Sequence, residues 1–393
     1  MKKILFKNAR IITPSGITKG ELLVHGDTIE KIVFNREIHD EADQVIDVNN
    51  KYLSPGFIDV HTHGAGDADF MDGNIDAIYN ACKAHMIHGT TSIVPTTITS
   101  TKESLLHFID LFNKVDLRKK GLPNILGLHL EGPYFAYNQR GAQDPKYLRN
   151  PDEREYKEVL SRTDRIIRWS FAVELEGSKE FLNTLRTYNI ISSLAHSDAT
   201  CEEVIRAYEN GLSALTHFYS AMSTVKRVNA YRVAGAVEAG YLLDDLFVEV
   251  IADGKHLPKE LLQLIYKIKG PDKICLVTDS MRAAGMPDGE YILGNKENGM
   301  KVISEENVAK LMDRTAFAGS VATADRLVRT FHKLTNAPLH EVIKMITLTP
   351  AKLLKINHKK GSVGENKDAD LLIFNENINI EMVMVMGEIN YSV

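Results

Sequence analysis

The sequence predicts an α/β protein built on a TIM (β/α)8 barrel. Three observations carry this expectation. Short apolar, strand-like runs alternate with helix-length amphipathic segments through the middle of the chain, and eight such runs can be counted. Residues able to do chemistry come directly after several of them, where the strand ends of such a barrel build an active site. Further short strands are expected at both chain ends.

Over the first fifty residues, Ile4-Leu5-Phe6, Arg10-Ile11-Ile12, Glu21-Leu22-Leu23-Val24 and Ile29-Glu30-Lys31-Ile32-Val33 read as strands. Pro14, Gly16, Gly20 and Gly26-Asp27 punctuate them. The eight central runs are Gly56–Val60, Ser92–Val94, Ile125–Leu128, Trp169–Val173, Ile191–Ala195, Ala214–Thr216, Phe247–Ile251 and Ile274–Val277. Strand signals return at Asp370–Phe374 and Met382–Met386. A barrel is expected over 54–349, flanked by segments 1–53 and 350–393.

The chain has 393 residues, 44% hydrophobic and 25% charged, a balance that can bury a large core. Lys+Arg number 47 against Asp+Glu 52, so the net charge is −5. That argues against nucleic acid or a membrane surface as partner. No apolar run approaches the ~18 residues of a membrane span. Lys7 and Asn8 interrupt the first apolar stretch too early for a signal peptide. Cys82, Cys201 and Cys275 are few, distant and odd in number, which excludes a disulfide framework and suits a reducing cytoplasm.

The first central run leads into Asp59-Val60-His61-Thr62-His63-Gly64. Residues two apart share one face of an extended chain, so both imidazoles can address one metal ion. Taken alone, His-x-His also fits two histidines at an ordinary strand end. Glu131 after the third run, His196 after the fifth and His217 after the sixth change that balance. Asp279 comes after the eighth run and is placed to take a proton from water and return it to a leaving amine, though taken alone it also fits a structural carboxylate. His85, His88 and His107 fall in helical patterns and read as structural; His129 reads as a support for Glu131.

These segments make the chain recognisable. Ser54–Gly64, His129-Leu130-Glu131-Gly132-Pro133, Leu194–Thr200, Thr216-His217 with Ala221-Met222-Ser223, Ala252–His256, Leu276–Ser280 and Ala284–Tyr291 carry the resemblance. With Asp368-Ala369-Asp370-Leu371 near the end, the chain resembles the N-acetylglucosamine-6-phosphate deacetylase family of the metal-dependent amidohydrolases over nearly its whole length.

The resemblance implies a small β-sandwich domain formed by both chain ends beside the barrel. It implies Glu131, His196 and His217 as the principal metal ligands, with His61 and His63 able to hold a second ion. It makes Asp279 the catalytic aspartate and puts Gln143, beside Ala142, near the substrate carbonyl. Ser220, Ala221, Arg227, His256, Phe317, Ala318 and Gly319 fall at its substrate-binding positions. Arg227 is the match for a phosphate-binding arginine, and His256 is expected to complete the site of a neighbouring subunit in a homodimer. Ser220 stands where the family usually has Asn, and the segment Lys226–Arg232 departs from the family pattern.

The implied reaction is hydrolysis of the N-acetyl group of N-acetylglucosamine-6-phosphate by metal-activated water, giving acetate and glucosamine-6-phosphate. Its alternatives are an epimeric substrate such as N-acetylgalactosamine-6-phosphate, or a sugar-phosphate sensor without turnover. The donor set suits zinc or iron(II), with manganese or cobalt as further choices, and one or two ions per subunit.

Overall fold

The computed structural model describes residues 2–393. All eight expected central runs are strands, and they run parallel in sequence order through two sheets. The first sheet holds Phe57–Thr62, Thr90–Pro95 and Asn124–Ile125. The second holds Leu128–Glu131, Ile166–Phe171, Ile191–Leu194, Ala214–Leu215, Phe247–Val250 and Ile274–Leu276. A helix comes after each unit, from Ile75–Met86 after the first to Ala324–Thr335 after the eighth.

The third run is divided where one strand was expected. Gly127 takes φ +152, and a Cβ there would lie 2.6 Å from Ile167 Cγ2. The chain therefore pairs with its second-strand neighbour before this glycine and with its fourth-strand neighbour after it. A bridge between Thr96 and His129 joins the two sheets on this side. On the other side, Asp279 N–H donates to His61 O at 2.9 Å and His63 N–H to Ser280 O at 2.8 Å.

Polar side chains start several of the helices. Asn74 caps Ala77 N–H, Thr101 caps Ser104 N–H, and Thr200 forms a capping box with Glu203. Between helices and strands, Trp169, Phe171, Phe181 and Tyr134 are fully buried. Their rings pack edge-on or stacked at 4.9–6.0 Å. This aromatic layer packs strand four against the helix Ser178–Thr187 and against the loop after strand three.

Both chain ends enter one eight-stranded sheet. Seven of its strands follow one hydrogen-bonded path, and Gln44–Asp47 branches from it by pairing with the first strand of the chain. The runs Ile4–Phe6 and Arg10–Ile12 belong to one strand, Lys3–Thr13, which is bulged between Phe6 and Ala9 and pairs with three neighbours, Gly16–His25, Gln44–Asp47 and Tyr52–Pro55. Glu388–Ser392 adds an edge strand that the sequence did not signal. This sheet has its own core, including Phe6, Ile11, Leu22, Leu53, Leu371 and Met384.

Neither expected boundary coincides with a gap between elements. Strand Tyr52–Pro55 spans the first and pairs with Leu371–Phe374. Helix Leu348–Leu353 spans the second, and its Leu353 packs on Ile191, Ala214 and Cys275 at the lower ends of the parallel strands. Cys82, Cys201 and Cys275 are all free thiols. Among the described residues, no helix is long and apolar enough to cross a membrane.

Candidate active site

At the C-terminal ends of the parallel strands, two groups of three buried side chains converge. They are His61, His63 and Asp279, and Glu131, His196 and His217, with the ligand atoms of each group within 4.8 Å of one another. Glu131 joins the groups. Its Oε1 is 3.1 Å from His217 Nε2 and 3.5 Å from His196 Nε2, and its Oε2 is 3.4 Å from His63 Nε2. Asp279 Oδ1 lies 3.2 Å from His63 Nε2 and 3.4 Å from His61 Nε2.

The local chain conformation aims these groups. His61 and His63 share one face of the first strand and its extension. His196, His217 and Asp279 each leave their strand with φ of +48°, +33° and +45°. Residues other than glycine avoid this left-handed region, and its use at three such positions marks a constrained site.

The imidazole tautomers are set by their partners. His196 Nδ1–H donates to Gln139 O at 2.7 Å, and His217 Nδ1–H to Ser220 O at 3.1 Å. His61 Nδ1–H donates to Glu249 Oε2 at 3.0 Å. All three Nε2 atoms therefore present lone pairs inward. His61 Nε2 is buried and has no hydrogen-bond partner. His196 and His217 Nε2 stand 3.2 Å apart. A divalent cation accepts from such an arrangement, and the nitrogen and carboxylate donors fit zinc, iron(II), manganese or cobalt.

The carboxylates of the site are held ionised. Burial by itself would raise the Glu131 carboxyl, but the surrounding histidines, His61 foremost, hold it well below its usual range. Burial likewise opposes ionisation of Asp279, and His61 and His63 outweigh it. Asp59, buried within the first strand, is pushed up to about 6 by burial despite a bond from Thr278.

A cleft of about 330 Å³ opens above these residues. Ala142, Gln143, Ser220, Ala221, His256, Phe317 and Gly319 line it, as do His63, Glu131, His196, His217 and Asp279. Gln143 Oε1 accepts from Thr99 N–H at 3.1 Å and from Thr99 Oγ–H. That fixes the amide so that Nε2–H donates to Glu131 Oε2 at 3.0 Å, inside the cleft.

Three expected positions lie differently. Ala318 is buried behind the wall with Met281 and Val302, its N–H bonded to Ala309 O. Arg227 sits on an exposed hairpin, Lys226–Val228 paired with Tyr231–Val233, and does not line the cleft. His256, expected to serve a neighbouring subunit, lines this chain's own cleft. Asp253 folds the segment into a turn, accepting from His256 Nδ1–H at 2.9 Å and from the N–H groups of Lys255 and His256, and the ring meets Phe317.

His129 does not touch Glu131 through its ring. Its Nε2 meets Ser170 Oγ at 2.7 Å and its Nδ1 meets Thr96 Oγ1 at 3.2 Å. Burial and nearby Arg168 push it well below the usual histidine range, so it is neutral. His85 is also buried, bonded to Thr62 Oγ1, and His88 pairs with Asp325 at 3.2 Å. Sequence reasoning passed over Arg168 and Glu249, an ion pair fully buried beneath the histidines. The signal was a charged residue inside each of two apolar strands, Ile-Ile-Arg-Trp-Ser-Phe and Phe-Val-Glu-Val.

The Amidohydrolase family matches residues 52–389. The N-acetylglucosamine-6-phosphate deacetylase of Lysinibacillus sphaericus is 31% identical, over 98% of this chain and 97% of that protein. A mutant of the N-acetyl-D-glucosamine-6-phosphate deacetylase of Mycobacterium smegmatis, in complex with N-acetyl-D-glucosamine-6-phosphate, superposes with TM-score 0.91 at 25% identity over all of both chains. The N-acetylglucosamine-6-phosphate deacetylase of Thermotoga maritima gives TM-score 0.87 at 31% identity, over 99% of this chain and 100% of that one. By sequence and by structure along its full length, the chain belongs to the amidohydrolase family, in its N-acetylglucosamine-6-phosphate deacetylase branch.

Proposed function

We propose that this protein hydrolyses the N-acetyl group of N-acetylglucosamine-6-phosphate, releasing acetate and glucosamine-6-phosphate. The observation that carries the reading is Glu131 shared between two inward-facing histidine groups, with Asp279 beside them in the cleft. Glu131, His196 and His217 would hold the principal ion, and His61, His63 and Asp279 a second. A divalent ion bound there supplies Lewis acidity for the amide carbonyl and makes a water more acidic.

Asp279 takes the proton from the attacking water at Oδ1 and returns it to the amine nitrogen as the C–N bond breaks. Gln143 Nε2–H, held in one orientation by Thr99, donates to the carbonyl oxygen as charge develops on it. Ser220, Ala221, His256 and Phe317 line the same cleft.

Phosphate recognition suggests a homodimer. Arg227 stands away from this chain's cleft, among exposed Val225, Val228 and Tyr231, while His256 stands within it. We therefore assign Arg227 to the phosphate of the neighbouring copy and His256 to that of its own. We also read the parallel strands as a closed eight-stranded barrel, supported by the bonds from Asp279 and His63 across the seam, with residues 1–53 and 350–393 as the smaller unit.

Acetate release from a panel of phosphorylated N-acetyl amino sugars tests the function. Turnover is expected with the gluco epimer above the galacto epimer. Tight binding of every sugar without acetate release would instead identify a sensor.

A further inference from the structure

Glu249 and Arg168 are charged groups placed where charge costs most. Both are 0% exposed, on the seventh and fourth parallel strands. Arg168 Nη1 pairs with Glu249 Oε1, while Nη2–H donates to Ser193 Oγ at 2.9 Å and Thr216 Oγ1 at 3.1 Å. A buried ion pair is a poor device for stability alone, since apolar residues of similar volume often serve as well or better. The carboxylate's other oxygen points to a use for it. Glu249 Oε2 accepts from His61 Nδ1–H at 3.0 Å and from the backbone N–H of His217 at 3.2 Å.

The other two oriented histidines do not depend on this carboxylate for their rings. Backbone oxygens of Gln139 and Ser220 hold the Nδ1 atoms of His196 and His217. Only His61 is oriented through a side chain. We propose that Glu249, fixed by Arg168, is a positioning residue that turns His61 Nε2 toward an ion in the His61–His63–Asp279 group. This rests on reading both histidine groups as metal sites. Without Glu249 the His61 ring can rotate or change tautomer, and His217 loses one backbone bond, while the His196 and His217 rings keep their supports from Gln139 O and Ser220 O.

Zinc(II) binding to the metal-free full-length protein, in competition with a chromogenic chelator, tests the proposal. Wild type should take two ions. Glu249→Gln should keep one at wild-type affinity and bind the other about 10- to 100-fold more weakly, the usual effect of losing such a support. Glu249→Gln leaves Arg168 without its counter-charge, so Glu249→Gln/Arg168→Met is measured beside it and should show the same selective loss. Uptake of one zinc by wild type, equal weakening at both sites, unchanged affinity, or failure of both variants to fold would each overturn the proposal. Acetate release is assayed on the same samples. Two bound zinc ions without turnover would fail the deacetylase reading and leave this one standing.

Discussion

His196 and His217 bring their Nε2 atoms to 3.2 Å while each Nδ1–H is committed to a backbone carbonyl. Two acceptor lone pairs at that distance repel unless a cation lies between or beside them. The backbone imposes the arrangement, since both residues sit in the left-handed region just past a strand. A divalent cation beside both nitrogens would relieve that repulsion, in keeping with the donor chemistry of the group.

Replacing His196 or His217 by Ala should abolish acetate release and remove the ion shared with Glu131. Metal analysis of the purified variants, alongside turnover, checks this. Full metal content with normal turnover in either variant would refute the assignment.

Asp279→Asn preserves the shape of the side chain but cannot accept a proton. The kcat should fall by at least about 100-fold, while the ion at Glu131, His196 and His217 remains bound. Near-normal turnover would exclude Asp279 as the proton carrier.

Sharing of Arg227 between copies can be read from mixed dimers. Arg227→Ala alone should lower kcat/KM for the phosphorylated sugar by roughly 1.5–3 kcal/mol, the range for a charged hydrogen bond. The unphosphorylated sugar should be almost unaffected. Mixing Arg227→Ala with Asp279→Asn subunits should restore activity at one site per dimer, because the first supplies Asp279 and the second supplies Arg227. No recovery on mixing would place Arg227 in its own subunit's site.

Leu353, in the helix that spans position 350, seals the lower ends of the parallel strands against Ile191, Ala214 and Cys275. Leu353→Ala should destabilise the protein by about 2–5 kcal/mol, through lost burial and the cavity left behind. Denaturant unfolding measures this. A loss below about 0.5 kcal/mol would mean that the helix contributes little to the core.

By itself the sequence determined the parallel strands and the reactive residues at their ends. Apolar runs bounded by turn residues are local signals, and in a parallel β/α fold the residue after a run points to the functional face. Glu131, His196, His217 and Asp279 were legible for that reason, and His61 with His63 through their two-residue spacing. Tertiary structure alone decided the partnerships made across the interior. Arg168 and Glu249 are 81 positions apart, and nothing local to either strand specifies that they meet. The placement of His256 in its own cleft depended on the turn that Asp253 closes, and that of Arg227 outside it on a hairpin paired with Tyr231–Val233. Which side chains share a face is fixed by backbone periodicity, but which faces meet is fixed by register and packing.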